Sequence, residues 1–138
     1  MPNPAALDLL LRVVVVALVV GLIIAARPLL ASRQKTRRRR ALSTGALPEW
    51  RTGRPLVLLF TGSVCSDCVR QKDVLARLDQ AGDGVTIREV LASSAPQLTS
   101  RFGIRSVPAT VVLDGDGRPT AVNYGLVDAS TLLSQLTG

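Results

Sequence analysis

The sequence predicts an α/β sandwich around a mixed sheet, with elements in the order β-α-β-α-β-β-α, preceded by one N-terminal transmembrane helix. Three observations lead there: an uninterrupted apolar run near the start, alternating strand-like and helix-like periods from Pro55 onward, and a sharp split in charge. Residues 1–54 hold ten Arg/Lys against Asp8 and Glu49, a net +8, whereas residues 55–138 hold seven Arg/Lys against eight Asp/Glu, a net −1. The overall +7 therefore belongs to the N-terminal third, and the rest is a near-neutral globular sequence. A length of 138 residues accommodates one domain of about 100 residues plus an extension. An apolar fraction of 47% excludes wholesale disorder, and two cysteines exclude a disulfide-rich scaffold. With no histidine, Ser–His–Asp and Cys–His catalysis are excluded, as is a four-ligand Cys/His zinc site within one chain.

Residues 1–30 read as a single membrane anchor. Between Leu9 and Leu30 the only charges are Arg12 and Arg27, and Val13 to Ala26 (VVVVALVVGLIIAA) carries none. That run is shorter than the roughly 20 helical residues a bilayer needs. Leu9–Leu11 complete the span if Arg12 extends its head toward the interface. A buried core helix would carry a polar face. A cleaved signal peptide would begin with positive charge, but the first eleven residues carry Asp8 and no Lys or Arg. Seven Lys/Arg lie between Arg27 and Arg40, against Arg12 and the terminal amine upstream. Basic residues stay on the cytoplasmic side, so the predicted arrangement is N-terminus out and C-terminal domain in the cytoplasm.

Residues 31–54 read as a basic juxtamembrane collar and linker. The run Arg37, Arg38, Arg39 and Arg40 suits anionic lipid headgroups, at about 1 kcal/mol per basic residue. No aromatic is interleaved for base stacking, which argues against a nucleic-acid partner. From Ala41 to Arg54 the composition turns to Ser, Thr, Gly and Pro, as in a linker. Trp50 within it is either an interfacial anchor or the first packed residue of the domain.

Residues 55–138 form the folded domain. Leu56–Phe60 (LVLLF) is the continuous apolar run of a central strand covered on both faces. Ser66–Ala81 reads as a helix, with Val74, Leu78 and Ala81 at i, i+4 and i+7 and Leu75 beside them, stopped by Gly82-Asp83-Gly84. Val85–Val90 alternates as a second strand with Val85 and Ile87 on one face, and Ser94–Arg101 is a short polar helix. Ala109–Leu113 and Thr120–Tyr124 are strands joined through Asp114-Gly115-Asp116-Gly117, residues that tolerate positive φ and make a tight hairpin. Asp128 caps a last helix bearing Leu132, Leu133 and Leu136. A β-α-β crossover followed by a β-β-α unit implies the sandwich.

The chemistry sits at Cys65-Ser66-Asp67-Cys68, between the first strand and its helix. Two thiols at this spacing can close a disulfide with little motion, and the helix N-terminus favours the thiolate of the first. Cys65, at the exposed end, would attack a substrate disulfide, and Cys68, one turn in, would resolve the mixed disulfide. The bland alternative is a pair of buried cysteines packed as small apolar residues.

From Pro55 to Gly138, 84 of 138 residues, the chain resembles a thioredoxin-like domain. The resemblance rests on the strand Leu56–Phe60, the Cys65–Cys68 motif, the segment Phe102-Gly103-Ile104-Arg105-Ser106-Val107-Pro108-Ala109-Thr110, the Asp-Gly hairpin and Tyr124-Gly125. It implies that Pro108 is a cis-proline lying against the dithiol, and that Val107 offers backbone groups to an extended substrate peptide. The chain departs from the family pattern at three places. Val64 replaces the tryptophan before the first cysteine, Ser66-Asp67 replaces Gly-Pro, and Leu59 stands where many members carry a buried acid on the central strand. Asp67 is the nearby carboxylate that could take over proton transfer or tune the thiol pKa. The competing reading makes it a solvated first-turn residue of the helix. The strand and helix that usually open such a domain have little sequence to occupy before Pro55, so a trimmed fold is expected.

The function these readings imply is a membrane-tethered, single-pass thiol–disulfide oxidoreductase that reduces protein disulfides on the cytoplasmic face. Its electrons would come from an upstream thiol donor. No G-x-G-x-x-G fingerprint is present, and no cofactor or metal is expected. With inverted topology the same dithiol would reduce or isomerise disulfides of exported proteins, or carry thiols for cytochrome maturation. A reading of a different class is a non-catalytic thioredoxin-like binding module whose dithiol is a redox sensor, or a zinc site pooled in a dimer. No motif encodes the oligomeric state.

Overall fold

The structure, a computed structural model, describes residues 4–80 and 84–137. Residue contacts divide the chain into two units, 1–36 and 37–138, which are taken in turn.

The described part of the first unit belongs to helix α1 (Pro4–Leu42), which is long and apolar enough to cross a membrane. None of its apolar stretch is buried against protein. Arg12 pairs with Asp8 one turn earlier at 2.8 Å. The hydroxyls of Ser32 and Thr36 donate back to the carbonyls of Leu29 and Ser32, so the helix satisfies its own polar side chains.

The second unit is a four-stranded mixed sheet of order β2-β1-β3-β4. Strand β1 (Leu56–Thr61) runs parallel to β2 (Thr86–Leu91) and antiparallel to β3 (Ala109–Leu113). Strand β4 (Pro119–Tyr124) closes the antiparallel edge, where a leading proline costs no ladder bond. Helix α2 (Ser66–Gln80) is the crossover between the parallel pair, and α4 (Ala129–Thr137) packs on the same face. Helix α3 (Pro96–Arg101) lies on the other side with a 3-10 turn at Pro48–Trp50.

Every residue of β1 is buried, because both faces of the sheet are covered. Its side chains alternate: Leu56, Leu58 and Phe60 pack with Phe102, Val111 and Leu47, while Val57 and Leu59 pack with Leu75, Leu78 and Leu132. Phe60 and Phe102 meet edge to face, with centroids 6.3 Å apart.

Several details differ from the sequence reading. The segment read as collar and linker contributes to the core: Ala41 and Leu47 are each 1% exposed, and Trp50 packs against the same cluster. Two backbone bonds tie the segment to the hairpin, from Leu47 N–H to Gly117 O at 2.8 Å and from Gly53 N–H to Gly115 O at 3.0 Å. The buried stripe of α2 is Cys68, Gln71, Leu75 and Leu78, with Val74 only partly buried. Ala81 and the Gly82-Asp83 part of the predicted breaker lie outside the described residues. The second strand starts at Thr86, one residue later than predicted. The predicted helix Ser94–Arg101 splits into a 3-10 turn Ala92–Ser94 and α3. Ala95 precedes a proline and is excluded from the helical region, so the chain breaks there at φ −130°, ψ 59°.

Asp128 caps α4 as expected. Its carboxylate accepts the Thr131 N–H at 2.7 Å and the hydroxyls of Ser130 and Thr131.

Candidate active site

The chain leaves β1 at Thr61 and reaches α2 through Gly62, Ser63, Val64 and Cys65. Cys65 and Cys68 are joined as a disulfide, with Cα atoms 5.3 Å apart. Cys68 is 3% exposed, whereas Cys65 is half-buried, so only the first sulfur has access to a partner. The Cys68 N–H donates to Cys65 Sγ at 3.1 Å. The sulfur thus occupies the place an oxygen takes in an N-cap, bonded to the N–H three residues on. The same donor and the helix dipole favour negative charge on that sulfur once the disulfide opens.

The second wall is the chain entering β3. The Val107–Pro108 peptide bond is cis, and Pro108 is buried with its carbonyl accepting the Gly125 N–H at 2.9 Å. Gly62 lies between the two walls: a Cβ there would stand 3.1 Å from Val107 Cγ2 and 3.9 Å from Cys65 Cβ. A side chain at residue 62 would therefore press on Val107, while its contact with Cys65 would be ordinary. Beside them Val64 is 100% exposed and Val69 is largely so, which leaves two apolar side chains in solvent around the dithiol.

Asp67 is exposed on the first turn of α2 and faces Arg70 at 3.7 Å. Of the arginine run, Arg37 and Arg40 line a pocket with residues of α3 and the turn after it, whereas Arg38 and Arg39 do not. Among the described residues, no three metal-ligating side chains cluster.

Three polar residues escaped the sequence reading. Gln71, fully buried, uses its carboxamide as a strand would use its backbone. Its Nε2 donates to Val127 O at 3.0 Å, and its Oε1 accepts the Val127 N–H at 2.8 Å, tying α2 to the chain before α4. Its signal was a polar residue in the apolar stripe three positions after Cys68. Glu89 stands directly opposite Leu59 in the β1–β2 register, so a carboxylate missing from the central strand is present on its neighbour. It pairs with Lys72 Nζ at 2.7 Å and accepts the Thr61 hydroxyl at 2.9 Å. The Lys72 hydrogen bond, and after it that from Thr61, hold its carboxyl below the ordinary glutamate range. Lys72 in turn is one helical turn beyond Cys68, a spacing visible in the sequence.

Comparison with known proteins agrees with this geometry. A family profile described as a thioredoxin-like domain matches residues 51–137. A thioredoxin of Alicyclobacillus acidocaldarius is 31% identical over 84 residues, spanning 60% of this chain and 79% of that protein. Among solved structures, a mutant thioredoxin from Halobacterium salinarum superposes with a TM-score of 0.57 at 21% identity, covering 64% of this chain and 78% of the other. Thioredoxin-2 of the malaria parasite, a component of its protein secretion machinery, gives 0.55 at 20% identity, covering 61% and 82%.

Proposed function

The chain belongs to the thioredoxin-like family, and from that premise we propose that it is a membrane-tethered thiol–disulfide oxidoreductase acting on protein disulfides through Cys65 and Cys68. The observation that carries this reading is the disulfide at the start of α2, with one sulfur accessible and accepting a helix N–H and the other buried.

In the reduced state the Cys65 thiolate attacks a substrate disulfide, forming a mixed disulfide and releasing one substrate thiolate. The Cys68 thiol loses its proton and attacks Cys65 Sγ, which releases the second substrate thiol and restores the Cys65–Cys68 bond. Two electrons and two protons from an upstream dithiol reset the pair. Val107 and Pro108 form the side of the cleft against which an extended substrate segment lies, and exposed Val64 gives it apolar contact. Asp67 is assigned to proton exchange with solvent beside the sulfurs.

The N-terminal helix is the tether, with Arg37, Arg38, Arg39 and Arg40 contributing to contact with anionic headgroups. The excess of Lys/Arg after Ala26 supports a cytoplasmic domain, where the resting state is the dithiol and the net direction is reduction.

A Cys68→Ser variant removes the resolving thiol and is expected to accumulate mixed disulfides that release their partners on reduction; a variant that traps none removes the enzymatic reading. For sidedness, a Cys65-only variant in intact cells meets a membrane-impermeant maleimide after mild reduction. Labelling only after permeabilisation is expected. Labelling without it inverts the topology and directs the search to disulfides of exported proteins.

A further inference from the structure

Arginines more than sixty residues apart in the sequence converge on one pocket. Arg37 and Arg40, three residues apart and so on one face of α1, meet Arg101 at the end of α3 and Arg105 in the turn that follows. With Ser100 and Gly103 they line a cavity of about 200 Å³. The turn is closed by Gly103 N–H to Ser100 O at 3.1 Å and Ile104 N–H to Thr99 O at 2.8 Å, with Gly103 at φ +63°. A Cβ on Gly103 would stand in ordinary contact with Tyr124 Oη at 3.5 Å and Arg37 Cβ at 4.0 Å, so glycine serves this turn through its positive φ, and the turn lies against α1. Tyr124 is held beneath by donating its hydroxyl to Phe102 O at 2.8 Å.

Among the described residues no salt bridge neutralises this charge: the basic partners of ion pairs are Arg12, Arg70, Lys72 and Arg118, none of them in the pocket. Among the described residues the one hydrogen-bond acceptor of the Arg101 side chain is Gly45 O, at 2.9 Å from Nη2. Nor is the end of α1 in need of these guanidinium groups. Its Arg40 carbonyl accepts the Ser43 and Thr44 hydroxyls, and its Arg39 carbonyl the Ser43 N–H. Like charges gathered at a small cavity repel one another, and a bound anion reverses the sign of that energy. Planar guanidinium forks match the oxygens of phosphate two at a time.

We propose that this pocket binds a phosphate monoester dianion, either a soluble phosphate or the terminal phosphate of a lipid. The site goes beyond the headgroup contact assigned to the run Arg37–Arg40. It selects two of those four arginines, recruits two more from α3 and the turn after it, and requires neither a membrane nor the dithiol.

The test uses the full chain in a nonionic detergent, titrated calorimetrically with inorganic phosphate at mildly alkaline pH and about 0.15 M salt, which screens charges outside the pocket. Saturable binding is expected, weakened about tenfold or more in R37A/R40A and in R101A/R105A. The charge-matched R38A/R39A variant is expected to lose no more than about twofold. R37K/R40K keeps the charge and removes the fork, and should fall between these limits. The source follows from repeating the titration in phosphatidylcholine nanodiscs doped with phosphatidic acid or with phosphatidylglycerol. Competition by the monoester lipid alone identifies a lipid ligand, whereas undiminished phosphate binding in both identifies a soluble one. Absence of saturable binding in the wild type, or equal loss in all three alanine pairs, overturns the proposal.

Discussion

Two apolar runs in this chain meet opposite fates. LVLLF in β1 is nearly inaccessible, with every residue 0–2% exposed, while VVVVALVVGLIIAA in α1 leaves Leu18 at 68% and Leu22 at 72%. The difference lies in the backbone as much as in the side chains. A helix closes its own hydrogen bonds, so α1 needs no neighbour to form, and its apolar surface is free to be covered by lipid. A strand leaves its N–H and C=O groups pointing sideways, so LVLLF forms only between β2 and β3, and the layers that supply them also cover its faces. Hydrophobicity says that a segment will be covered; hydrogen-bond geometry says by what.

The widest separation between the two runs should come from placing one charge in each. Leu58→Asp buries an unpaired carboxylate and is expected to abolish cooperative melting of the second unit, a loss of several kcal/mol. Leu18→Asp should leave that melting transition intact and shift the protein from the membrane fraction, at an insertion penalty of about 3 kcal/mol. If the two variants behave alike, the contrast fails. Next in size, Phe102→Ala removes the ring that packs on Phe60 and is expected to cost about 3–5 kcal/mol in chemical denaturation, with no effect on membrane partition. Gln71→Ala leaves the Val127 N–H and C=O without their partner and should cost about 1–3 kcal/mol by the same assay.

The smallest effect concerns the cap of α4. Hydrogen bonds, with the Ser130 hydroxyl first and the Thr131 N–H next, lower the Asp128 pKa from 3.8 to about 2. A depressed carboxyl contributes stability that is whole above the unfolded pKa and fades as pH falls through the folded one. The melting-temperature difference between wild type and Asp128→Asn should therefore be full above about pH 4 and vanish toward pH 2, with no counterpart in the first unit. A difference that stays constant down to pH 2 would contradict it.

How much was legible follows the reach of each interaction. Cys65 and Cys68 could be read because their chemistry is local: one spacing, one helix start, one N–H three residues on. The Asp128 cap is local in the same way. Gln71, Glu89 and Gly62 were passed over because what each one meets (Val127, Lys72 with Thr61, and Val107) belongs to another element. Within α2, periodicity found Leu75 and Leu78 but passed over Gln71, because a polar residue occupies part of the buried stripe.

The hairpin and the arginine run divide what sequence alone determined from what folding decided. Asp114-Gly115-Asp116-Gly117 announced a tight turn, but only Gly117 meets the turn's demand for positive φ, at +78°. Both glycines also lie where a Cβ would meet backbone, Gly117 at the Leu47 carbonyl and Gly115 within 2.9 Å of Gly53. Likewise Arg37 to Arg40 are four identical residues in the sequence, and only the approach of α3 separates the two that line a pocket from the two that do not. Element types, the apolar span and the dithiol were determined by the sequence itself, since periodicity, capping and thiol spacing act over a few residues. Which glycine must lack a side chain, which carboxylate stands opposite Leu59 and which arginines share a cavity were decided by the tertiary structure. Those are distances between segments far apart in the chain, and they exist only once the sheet has closed.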